Sequence, residues 1–204
     1  MKNNYILWIE GCNGSGKSFT ANLLHKEAKN QNINIHYFHC PKSSKEPFIN
    51  YPDQLLTINE YLKAFNNIKK QIDAIKTNNN FIIIDRVPFI SGIVYQAFYI
   101  LDKTFPETFH TINLKILNLL QNEFLKNIYP NQIIFCNPGI KTIIKNRKNF
   151  DDIELYAERY EMIMAKLPEI YNSLQAYYFN YKKDSFDKLK DFIFNSELPK
   201  NIQF

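Results

Sequence analysis

Short apolar runs and period-2 alternation recur at five places in the chain, separated by segments whose apolar residues recur every three to four positions. Tyr5 to Ile9, Ile33 to Phe38, Phe81 to Ile84, Gln132 to Cys136 and Ala176 to Tyr181 predict strands. Phe81 to Ile84 is apolar throughout, as a central parallel strand buried on both faces is. The spacing predicts helices from Lys17 to about Lys29, from Asp53 to about Lys76, from near Pro88 and near Pro106, and over about 138–148 and 151–166. In the first of these, Phe19, Leu23, Leu24 and Ala28 form the predicted buried stripe. Strands alternating with helices predict an α/β fold, a parallel sheet with helices on both faces. Thr77 to Asn80 reads as a polar turn, and the tail after Leu198 as frayed. No repeat or long linker divides the sequence, so residues 1–204 read as one domain.

Composition narrows the class. No apolar run approaches the ~20 residues of a membrane span, and no signal-peptide pattern precedes the first strand. Cys12, Cys40 and Cys136 are odd in number and widely spaced, which argues against a disulfide framework or a structural zinc. The expectation is a reduced protein of the cytoplasm, or of a host's cytoplasm if the chain is viral. The net charge of +5 is spread along the chain, which suits small phosphate ligands at least as well as a nucleic-acid backbone, and a nucleic-acid partner is not expected. Arginine is rare: Arg86, Arg147 and Arg159 are the three in the chain, so the planar fork is retained where lysine cannot replace it. Of five glycines, Gly11, Gly14 and Gly16 lie within six positions, a concentration that a linker does not explain.

Those glycines belong to Gly11-Cys12-Asn13-Gly14-Ser15-Gly16-Lys17-Ser18, which fits GxxxxGK[ST], the P-loop pattern. Glycines let backbone N–H groups turn inward around phosphate oxygens. Lys17 is expected to neutralise the β- and γ-phosphates, and the Ser18 hydroxyl to hold Mg²⁺. The helix that follows points its positive end at the anion. Gly11, Asn13, Gly14, Ser15, Gly16, Lys17, Ser18 and Phe19 are therefore the candidate ATP-binding residues at this end of the chain.

Two further signals follow. Asp85-Arg86 ends the most apolar strand, where ligands of open α/β sheets sit. Asp85 there can join the Mg²⁺ shell in the manner of a Walker-B carboxylate, and Arg86 can grip a phosphate bidentately. Further on, Lys141, Lys145 and Lys148 share a helix face, with Arg147 beside them and Asp151-Asp152-Ile153-Glu154 after them. This basic segment, a lid over about 139–152, is expected to close over ATP, with Lys145 and Arg147 supplying charge to the transferring phosphoryl group.

Together these segments resemble the P-loop nucleoside monophosphate kinases and deoxynucleoside kinases, most closely the thymidylate kinase-like deoxynucleotide kinases of phages and viruses. Ile9 to Ser18 resembles that group's first strand and P-loop, and Tyr37 to Ser44 its second strand and phosphate-binding loop. Asp85 through Gln96 is similar to its Asp-Arg-Tyr segment, and Arg147 through Tyr160 to its lid and next helix. The resemblance implies a three-layer αβα fold with five parallel strands in the order 2-3-1-4-5. It also implies Mg·ATP as phosphoryl donor, with Asn13, Lys42, Lys45, Asn59, Arg86, Ser91, Tyr95 and Gln96 lining the acceptor. Asn13 stands where the family often carries Asp, and Val87 where it carries an aromatic. Asn59-Glu60 stands where it has Asn-Arg, and an acid there suits a base that offers an amino group, such as cytosine or adenine.

The expected activity is ATP-dependent phosphoryl transfer to a deoxynucleoside monophosphate, a dTMP-type acceptor first, with Lys17, Asp85, Arg86 and Arg147 catalytic. The alternative is a deoxynucleoside kinase, in which Glu46 before Pro47 would serve as general base. A nucleotide-binding switch without an acceptor is the reading from another class; the sequence lacks the N-K-x-D motif of a GTPase. His25, His36, His39 and His110 form no spaced pair, and none is read as catalytic. Tyr61 and Phe65 lie one turn apart, placed for core packing or for stacking on a base. The stripe Ile112, Leu114, Ile116, Leu117, Leu119 and Leu120 suits either a core or a homodimer face.

Overall fold

The computed structural model describes residues 4–39, 63, 66–85, 131–147 and 175–195. The chain divides into two compact units. One comprises Met1–His39, Lys76–Arg86 and Pro130–Phe204, the other Cys40–Ile75 and Val87–Tyr129. The first holds a sheet of β1 (Asn4–Glu10), β2 (Asn34–His39), β3 (Asn80–Asp85), β4 (Gln132–Cys136) and β5 (Gln175–Phe179), with α1 (Lys17–Asn30), α2 (Ile140–Asn146) and α3 (Phe186–Lys190). In the second, residues 66–74 are helical, with Ile68 and Ile72 buried one turn apart.

All strand pairs are parallel, in the order β2-β3-β1-β4-β5 that the resemblance implies. The apolar runs dictate who sits in the middle. β3 and β4 are buried at every position, and Leu7, Trp8 and Ile9 of β1 are wholly buried. β2, at the edge, alternates between half-buried and exposed. Registers are level: Asp85 lies opposite Ile9 on β1 and opposite His39 on β2. The carboxyl ends of these three strands therefore form one edge, and the loop after β1 starts there.

α1 covers the sheet through Ala21, Leu24 and Ala28, which pack in one core with Leu7, Ile9, Phe81, Ile83, Ile134 and Phe179. Burying Leu24 alone is worth about 1.5–3 kcal/mol. Phe19 departs from the predicted stripe and is 55% exposed. It precedes Leu24 by five residues, about 140° around a helix of 3.6 residues per turn, so both cannot face the sheet. The helix ends where Asn32 takes a left-handed φ of 57° and the Ile33 N–H bonds to the Ala28 carbonyl at 2.9 Å. Asn80, expected in a turn, begins β3 and is buried; its side chain bonds to Asn4, Thr77 and His36. α3, which the apolar pattern did not predict, starts at Ser185, whose Oγ accepts from the Lys188 N–H at 3.3 Å. No described helix is long and apolar enough to cross a membrane.

Candidate nucleotide site

The loop from Gly11 to Gly16 has the conformation its glycines allow. Gly14 and Gly16 have φ of 85° and 91°, and Gly16 caps α1 in the left-handed region. Gly11 is needed for space as well: a Cβ there would meet the Ser15 hydroxyl and lie 2.6 Å from the Cys136 carbonyl. The Gly11 N–H donates to Glu10 Oε1 at 3.0 Å, and Glu10 is fully buried. Lys17 bends back over the loop, its Nζ donating to the carbonyls of Gly11 at 2.6 Å and Cys12 at 2.9 Å. That bend places the lysine's charge inside the cradle, where an anion can exchange neutral carbonyls for charge-assisted bonds.

Asp85 is the centre of the polar cluster beside the loop. It is wholly buried, and its Oδ2 accepts from Ser18 Oγ at 3.1 Å, Tyr37 Oη at 2.7 Å and His39 Nδ1 at 3.1 Å. Its Oδ1 is buried with no hydrogen-bond partner among the described residues. A carboxylate oxygen left bare in the interior costs free energy, and native structures rarely leave one without a missing ion or water to explain it. The hydroxyl of Ser18 beside it is a hard oxygen ligand, so this pair fits a divalent cation such as Mg²⁺. Burial, together with the hydrogen bond to Asp85 and its negative charge, raises the pKa of Tyr37; the Ser18 contact lowers it slightly.

The third wall comes from α2 and the turn after β5. Asn146 Nδ2 donates to the Gly14 carbonyl at 2.8 Å and to Tyr181 Oη at 2.9 Å. A Cβ on Gly14 would lie 2.8 Å from Cγ of Arg147, and one on Gly16 would lie 2.8 Å from the Tyr181 ring. Tyr181 also meets Phe19 at 5.9 Å between ring centroids. Arg147 thus stands against the loop, while Lys141 and Lys145 are exposed on α2. Asn13 is half-buried in the loop.

The structure brings Lys17, Ser18, Asp85 and Arg147 to one end of the sheet. Arg86, Lys42, Lys45, Glu46, Asn59, Glu60, Tyr61, Phe65, Val87, Ser91, Tyr95, Gln96, His110, Lys148 and the stripe from Ile112 to Leu120 lie outside the described residues. Sequence reasoning missed Tyr37, His39, Asn146 and Tyr181. For Tyr37 and His39 a signal existed: two polar-tipped residues at i and i+2 on an edge strand share one face, and the level register points them at the end of β3. Nothing in the sequence marked Asn146.

No family model and no curated protein matches this sequence. Solved structures do match its fold. The structure of deoxyadenosine kinase from M. mycoides with bound dATP has a TM-score of 0.63 and 16% identity, covering 92% of this chain and 96% of that one. The same enzyme with products dCMP and a flexible dCDP bound has a TM-score of 0.58 and 18% identity, covering 93% and 96%. At such identities the similarity establishes the fold alone.

Proposed function

We propose that this chain is an ATP-dependent kinase whose acceptor is a deoxynucleoside. The observation that carries the proposal is the meeting of Lys17, Ser18 and Asp85 at the carboxyl edge of β1 and β3, in a fold shared along nearly its whole length with a deoxyadenosine kinase. In this reading the loop amides and Lys17 cradle the β- and γ-phosphates, and Ser18 and Asp85 hold Mg²⁺. The cation, when bound, neutralises charge on the phosphate oxygens. Arg147, beside Gly14, supplies charge to the transferring group, and Arg86 orients the acceptor. Such a reaction asks for positioning and charge more than for covalent chemistry.

A monophosphate acceptor is kept as second reading for one observation. Lys42 and Lys45 follow β2 within Cys40-Pro41-Lys42-Ser43-Ser44-Lys45, and two cations there suit an acceptor phosphate. A thymidylate-type acceptor fits less well, since Glu60 suits an amino-bearing base and the similar structures are those of a deoxyadenosine kinase.

ATP consumption measured across the deoxynucleosides and their monophosphates tests the proposal. Turnover with deoxynucleosides supports it. Turnover with monophosphates alone replaces it by the second reading, and turnover with neither leaves a nucleotide-binding module. Glu46→Gln separates the same readings: a loss of about 10²–10⁴-fold marks a general base acting on a hydroxyl, and a change of a few-fold marks an acceptor already ionised.

A further inference from the structure

Asp85 is held unevenly. Three donors from two elements, Ser18 of α1 and Tyr37 and His39 of β2, converge on Oδ2. Oδ1 has no partner among the described residues, although Asp85 is 0% exposed. A carboxylate free to rotate about its χ2 bond would share donors between its oxygens; here the donor set selects one rotamer. The Ser18 contact is expected of any P-loop serine beside a strand-end acid. The two β2 contacts are not, and they come from the edge strand, whose polar face costs the core nothing.

We infer that Tyr37 and His39 are positioning residues that pin Oδ2 of Asp85 and so reserve Oδ1 for the divalent cation that accompanies the nucleotide. The inference rests on the nucleotide-binding reading of the site. Neither residue touches substrate in this role. Each acts through Asp85, as the groups that hydrogen-bond to metal-ligating carboxylates do, and loss of such a partner typically weakens metal binding by about 10- to 100-fold. His39 needs only its Nδ1–H for the task. An asparagine presents an N–H near the same place, so it is the replacement that keeps the donor and discards the rest of the ring.

The test uses the whole chain with AMPPNP, a non-hydrolysable ATP analogue, and Mn²⁺ as a paramagnetic stand-in for Mg²⁺. AMPPNP binding is first measured by calorimetry without metal, and Mn²⁺ affinity of the nucleotide complex is then read from its EPR signal. Tyr37→Phe and His39→Ala are each expected to weaken Mn²⁺ binding about 10-fold or more, with metal-free AMPPNP affinity unchanged. His39→Asn is expected to return most of the loss. In turnover, excess Mn²⁺ should restore kcat in both weakened variants. Mn²⁺ affinity unchanged in Tyr37→Phe and His39→Ala overturns the inference and leaves the proposed function standing. So does His39→Asn behaving like His39→Ala, or AMPPNP affinity falling together with thermal stability in both weakened variants. A wild-type chain that binds no AMPPNP with or without metal removes the nucleotide reading itself, and the inference with it.

Discussion

The side-chain amide of Asn146 donates at 2.8 Å to the carbonyl of Gly14, 132 positions earlier in the chain. The second hydrogen of the same amide goes to Tyr181, whose ring lies over Gly16. One residue at the end of α2 thereby ties the glycine loop before α1 to the turn after β5. Both bonds are exposed, so each is worth about 0.5–1.5 kcal/mol, and their value lies in fixing where the loop carbonyl points.

Asn146→Ala should raise the KM for ATP about 5- to 10-fold, the equivalent of one or two such bonds, with the acceptor KM unchanged. Tyr181→Phe should give a smaller rise, and the double variant less than the product of the two. Asn146→Asp should be worse than Ala, because it sets a carboxylate against a carbonyl and near an incoming polyphosphate. Steady-state kinetics with each substrate varied in turn checks all four.

Lys17→Ala should abolish phosphoryl transfer, by about 10²-fold or more, while circular dichroism shows the fold retained. Its ammonium donates to the Gly11 and Cys12 carbonyls, and the loss of two such bonds should lower stability by about 1–3 kcal/mol. Near-normal turnover in this variant would sink the P-loop assignment.

Gly139 and Gly11 separate backbone strain from steric fit. Gly139 has φ 88° and ψ 151°, a region almost reserved for glycine, yet no atom of the described residues lies within 4 Å of a Cβ there. Gly139→Ala should cost about 1–3 kcal/mol of stability in urea titrations, and leave the KM for ATP unchanged. Gly11→Ala drives its methyl into the Cys136 carbonyl and the Ser15 side chain, so it should lose both stability and nucleotide binding.

Alkaline pH should destabilise the protein. Burial lifts the Cys136 thiol from an ordinary 9.0 to about 12, with Asp85 and Glu10 adding to the rise and Thr20 and Lys17 opposing it. Above pH 9 the unfolded chain releases this proton and the native state keeps it, so stability is whole below pH 9 and falls as pH climbs toward 12. The limiting slope is about 1.4 kcal/mol per pH unit. Raised Tyr5 and Tyr37 join from about pH 10. Urea midpoints at pH 8, 9 and 10 should show the fall, with a shallower slope in Cys136→Ala.

Local chemistry was legible without any fold. The pattern of apolar residues placed all five strands within one or two residues of their ends; in β3, burial on both faces leaves an unbroken apolar run, and at the edge β2 keeps an interrupted one. The glycine loop was legible because three of the five glycines fall within six positions just before a Lys-Ser pair, and the end of β3 because an acid, Asp85, closes an apolar run. The strand order came from the resemblance and not from the pattern, since hydrophobicity says that a strand is central without saying beside which neighbour. Phe19 shows the limit of periodicity: apolar character put it inward, and only the docking of Ala21, Leu24 and Ala28 against the sheet decided which arc of α1 is buried. The clasp of Asn146 on Gly14 and Tyr181, and the three donors on one oxygen of Asp85, were settled by tertiary structure alone. Those contacts join residues up to 132 positions apart, and a hydrogen bond needs a match in distance and angle that no local pattern of residue types encodes.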